Sequence, residues 1–143
     1  MIALLDTNVI ISSMLSSKGP PARIMEAWEA EQFDILTSPA LLRELKRAIH
    51  YPHVQRYYKG PEKKIDAFLR EFQRAAVMVE PENTLEVIEE DPADDRVLEC
   101  AVAGRADYIV SGDNHLLKRE DYRGIIILRP RVFLAVLKLG SES

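Results

Sequence analysis

Short apolar runs alternate along this chain with longer segments of helical period, and that alternation constrains the fold more than any other feature. Ile2-Ala3-Leu4-Leu5 is too short for a helix and reads as a buried strand. Residues 33–37, 108–110 and 125–128 read as further strands, and 77–79 as a short one. Helices are predicted over residues 9–15, 23–31, 39–50, 94–103 and 130–137, with one helical turn over 84–88. Ser38-Pro39 is a strong helix start, because Ser caps free N–H groups and Pro suits the first turn. Gly60-Pro61 opens another helix, with Ile65, Phe68, Leu69 and Phe72 on one face. Strands alternating with helices predict a single-domain, three-layer α/β fold, a twisted parallel sheet flanked by helices. The 143 residues suit one domain, expected over residues 1–139, with 140–143 as a disordered tail.

Composition narrows the class. The longest apolar runs are far below the roughly 18 residues a membrane span needs, so neither a span nor a signal-peptide core is expected. Cys100 is the single cysteine, which excludes an internal disulfide and fits a cytoplasmic protein. It lies near the apolar stripe of its helix and reads as a small buried hydrophobe. The net charge of −4 argues against a uniformly basic nucleic-acid binder. Its distribution argues otherwise. Residues 43–64 hold seven bases (Arg43, Lys46, Arg47, Arg56, Lys59, Lys63, Lys64) against two acids, whereas residues 80–95 hold eight acids and no base. An acidic total can thus hide a basic surface. Tyr51, Tyr57 and Tyr58 lie among the bases and either stack on unpaired nucleobases or pack a hinge around Pro52. His50 and His53 are three apart, but Pro52 breaks the helix between them, which argues against a metal pair.

Ligands of open parallel sheets gather outside the carboxyl ends of the strands. Asp6 follows the first strand directly, and Asp113 follows the strand 108–110 through Ser111-Gly112. Either acid is a metal ligand or a helix cap. Two carboxylates brought close repel, and a cation removes that cost. Asp94 adds direction. At about 100° per residue it lies near the centre of the stripe formed by Val97, Leu98, Ala101 and Val102, whereas Asp95 falls about a quarter-turn aside. An acid in a first turn also offsets the helix dipole, but that does not explain an inward one. Glu44 flanks the Leu41/Leu45/Ala48 face and reads equally as a surface residue paired with Arg47. His115 reads as part of an exposed turn, or as a contact for substrate.

These residues carry a resemblance. Leu5-Asp6-Thr7-Asn8-Val9 resembles the opening motif of PIN-domain nucleases. Residues 91–101, containing Asp94-Asp95, resemble their central acidic helix start. Ala106-Asp107-Tyr108-Ile109-Val110-Ser111-Gly112-Asp113 resembles their later strand and acid, and residues 39–45 resemble the segment with their helical glutamate. The four motifs run in order over nearly the whole chain, and the subgroup most resembled is the VapC-like toxin component of toxin–antitoxin pairs. The resemblance implies a PIN-like sheet and a Mg²⁺- or Mn²⁺-dependent endoribonuclease that hydrolyses RNA phosphodiesters with metal-activated water. It maps the catalytic acids onto Asp6, Glu44, Asp94 and Asp113. Asp6, Asp94 and Asp113 are the metal ligands, with Asp95 as the fallback for Asp94. Thr7, Asn8 and Ser111 are supporting polar positions. Arg43, Lys46 and Arg47 would contact RNA. A small antitoxin protein and a homodimer are the implied partners; exposed apolar positions on the helices at residues 10–15 and 24–28 are candidate contacts, with ordinary core packing as the other reading of those positions.

One departure stands out. Many relatives carry a further acid just after the last aspartate, where this chain has Asn114 and His115, which leaves a second metal position short of a carboxylate. A PIN-like RNA- or protein-binding regulatory domain without catalysis is the alternative reading. An aspartyl-phosphate domain is a third, but it needs a lysine at a strand end, and Lys118 is at none.

Overall fold

The computed structural model of this chain describes residues 1–81 and 92–142. Its elements follow in the order β1 (Ile2–Leu5), α1 (Thr7–Leu15), α2 (Pro20–Glu29), β2 (Asp34–Thr37), α3 (Pro39–Ile49), α4 (Pro52–Tyr57), α5 (Glu62–Ala75), β3 (Val77–Met78), α6 (Pro92–Ala103), β4 (Tyr108–Val110), α7 (Asn114–Leu117), β5 (Asp121–Tyr122), β6 (Ile125–Leu128) and α8 (Pro130–Glu142). The strands form one sheet in the order β3-β2-β1-β4-β6-β5. Every neighbouring pair is parallel except β5–β6, a short antiparallel edge.

Successive strand residues face opposite sides, and the sequences of the central strands β1, β2 and β4 suit burial on both. Ala3 and Leu5 of β1, Ile35 of β2 and Val110 of β4 join the core beneath α1, α2, α3, α5 and α8. Leu4, Leu36 and Ile109, their immediate neighbours in sequence, join the second core beneath α6 and α7. This is the three-layer arrangement that the alternation of strands and helices predicts. Gly104, directly after α6, lets that helix approach β2 closely, since a Cβ there would collide with the buried Leu36 side chain. Among the described residues, no helix is long and apolar enough to cross a membrane.

Several elements differ from the sequence expectation. Helices α1 and α2 begin two and three residues earlier than expected, at Thr7 and Pro20. Helix α4 occupies what reads as a hinge, because Pro52 sits at its first turn, where a missing N–H costs nothing. Tyr58 packs against the core and its hydroxyl donates to the Pro61 carbonyl at 2.9 Å, whereas Tyr57 is exposed. The single-turn helix α7 and the strand β5 were not anticipated. Helix α8 continues to Glu142, through the segment expected to be a tail, because Gly140 weakens a helix without stopping it. The turn expected over 84–88 lies outside the described residues. On the helices weighed between partner contact and core packing, Ile10, Ile11, Ile24 and Trp28 are buried in the core of this chain.

Cys100 is fully buried beside α3. Burial pushes its thiol up from the ordinary 9.0 to about 12, a shift only partly offset by a hydrogen bond with Ser38. The fold thus favours the protonated thiol. Its contribution to stability is full below pH 9.0 and is lost as the pH rises toward about 12. Urea-unfolding free energies should therefore fall more steeply over that range in the wild type than in Cys100→Ala. Parallel pH profiles for the two proteins would contradict this.

Candidate metal centre

The pairing of β1 with β4 aligns Leu5 with Val110. The ladder runs one step further, as the Asp6 N–H donates to the Val110 carbonyl at 2.9 Å. Asp6 and Ser111 therefore leave the sheet side by side. Asp6 precedes α1, and its backbone carbonyl accepts the Val9 N–H at 2.9 Å, but its side chain makes no capping hydrogen bond. Its Oδ2 instead accepts from the Ser111 hydroxyl at 2.8 Å. The buried carboxylate is thus engaged at the strand ends and leaves the helix uncapped.

Ser111 is completely buried, so its hydroxyl must be satisfied by protein groups. It donates to Asp6, and its Oγ accepts the Asp113 backbone N–H at 2.9 Å. One small side chain thereby ties the two strand-end acids together. Asp113 does cap a helix: its Oδ1 accepts the His115 N–H at 2.8 Å at the start of α7. That turn draws residue 115 back over the carboxylate, placing His115 Nδ1 3.8 Å from Asp113 Oδ1.

Asp94 comes from the first turn of α6. Asp94, Asp113 and His115 each offer one ligand atom, and these atoms all lie within 4.8 Å of one another. The Asp94 Oδ2 atom is buried and accepts no hydrogen bond, while other interactions hold the residue. The trio contains Asp94 and not the fallback Asp95. Asp95 does not simply turn aside to solvent, since it is as buried as Asp94. Helix α3 packs alongside α6, so burial extends beyond the one face that a helical wheel assumes.

The remaining sequence candidates lie outside this trio. Asp6 is linked to it through Ser111, and Glu44 stands half-buried on α3 outside it. Thr7 is buried at the start of α1, next to the exposed Asn8. Arg43, Lys46 and Arg47 are exposed on α3, and Lys46 Nζ donates to Gln73 at 3.3 Å. His115, which the sequence places in an exposed turn or at the substrate, stands beside Asp113 and Asp94. A strand-end aspartate that caps the next helix brings residue i+2 to itself, and that spacing is visible in Asp113-Asn114-His115.

Two carboxylates and an imidazole fit a divalent cation, which would also offset the repulsion between the two acids. Ser111→Ala should weaken Mn²⁺ binding by about 10- to 100-fold, the usual effect of losing a group that orients ligands. Titration calorimetry checks this, and an unchanged affinity would contradict the role given to the hydroxyl.

Residues 3–115 match the PIN domain family. An uncharacterized protein of Methanocaldococcus jannaschii is 29% identical over 118 residues, covering 82% of this chain and 74% of that protein. The chain belongs to the PIN domain family, whose members are in general metal-dependent nucleases.

Proposed function

We propose that this protein is a Mg²⁺- or Mn²⁺-dependent endoribonuclease acting as the toxin of a toxin–antitoxin pair. The observation that carries the catalytic reading is the convergence of Asp94, Asp113 and His115, with Asp6 tied in through Ser111, beside the carboxyl ends of β1 and β4. Asp94 and Asp113 would hold the cation, and Asp6 would complete its surroundings from the β1 side. A divalent cation supplies Lewis acidity there, lowering the pKa of water and offsetting charge on the phosphodiester. Asp6 keeps one oxygen on the Ser111 hydroxyl, which fixes its orientation without a metal. Glu44, on the helix that carries the basic side chains, is the candidate to orient or deprotonate the attacking water.

Arg43, Lys46 and Arg47 are exposed together on α3 and would hold the RNA backbone. Their placement on the helix that bears Glu44 supports a polyanionic substrate. The toxin role rests on the motif resemblance to the VapC-like group and brings with it a small antitoxin and a homodimer. Those contacts would use surfaces other than Ile10, Ile11, Ile24 and Trp28, which the core of this chain occupies.

Asp6→Asn should abolish metal-dependent RNA cleavage while leaving the circular dichroism spectrum unchanged, since Asn preserves size and can still accept the Ser111 hydrogen bond. Undiminished cleavage by that variant would overturn the site. Wild-type protein that binds RNA but cleaves none with either metal would favour the regulatory-domain alternative.

A further inference from the structure

We propose that His115 is itself a metal ligand, and that its imidazole makes the centre prefer Mn²⁺ to Mg²⁺. This rests on the metal-centre reading above and adds a nitrogen donor to it. The first support is distance. For bonds of roughly 2.1 Å, ligand atoms on one octahedral ion lie about 3 Å apart when adjacent and about 4 Å apart when opposite. The Asp94, Asp113 and His115 atoms, all within 4.8 Å of one another, are near enough for an ion to draw them together as its ligands.

The second support is how His115 is held. Its own backbone N–H is fixed by Asp113 Oδ1, so ligand and neighbour are set by one capping turn. Leu116, the next residue, is completely buried and anchors α7 to the core. The His115 side chain remains 43% exposed, enough for an ion to reach it from solvent.

The third support is donor chemistry. Mg²⁺ demands near-ideal oxygen coordination and gives up its waters reluctantly, whereas first-row transition ions accept imidazole readily. An Asp/Asp/His set therefore discriminates between the two in a way that an all-carboxylate set does not. His115→Asp converts the site to oxygen donors alone and should narrow the preference.

The test uses the full chain loaded with Mn²⁺, read by pulsed electron paramagnetic resonance. Wild-type protein should show modulation from a directly bound ¹⁴N nucleus. Loss of the imidazole in His115→Gln should remove that modulation and weaken Mn²⁺ binding at least about tenfold. Mg²⁺ affinity, measured by displacement of Mn²⁺, should change much less. His50 and His53 are also exposed, so a His50→Gln/His53→Gln protein must retain the signal. Bound Mn²⁺ without ¹⁴N modulation in the wild type would overturn the inference and leave a carboxylate centre intact. A ¹⁴N signal in a protein that cleaves no RNA would uphold the inference and count against the nuclease reading.

Discussion

Parallel pairing between β1 and β4 is the constraint from which the rest of this molecule follows. It is a long-range contact, joining residues about a hundred positions apart, and it fixes Leu5 opposite Val110. Both strands are buried on both faces, so a one-residue slip would exchange Leu4 with Leu5 between two separate cores. Register is thereby set by hydrophobic burial. Its by-product is that the first residues beyond the sheet, Asp6 and Ser111, emerge together and hydrogen-bond at 2.8 Å. Chemistry at the strand ends is positioned by packing several residues away.

From there the site is assembled by progressively more local devices. Ser111 passes the alignment on to Asp113 through the backbone, and Asp113 passes it to His115 by capping α7. Helix α6, seated on β1 and β2, supplies Asp94. Buried carboxylates are expensive without compensation. A cation shared by Asp94 and Asp113 would offset the repulsion between them, so that ion binding and stability would be linked.

The sequence made β4 and β6 legible to the residue, because each is a short apolar run bounded by polar or turn-forming residues. Asp6 and Asp113 were legible as strand-end acids for the same reason. Asp94 was legible because an amphipathic helix reports which way its residues face. Short elements were not. Helix α7 spans four residues and β5 two, too few for any period to register. His115 was hidden with α7, since its position matters only once Asp113 caps that turn. Burial of Asp95 was hidden because a helical wheel knows nothing of α3 alongside.

Placement of a cation between α6 and the end of β4 is the claim on which the functional reading stands. It is tested most directly by anomalous diffraction from a crystal soaked in Mn²⁺. The proposed centre requires a peak within coordination distance of both Asp94 and Asp113. No peak, or a peak that touches neither aspartate, would contradict it.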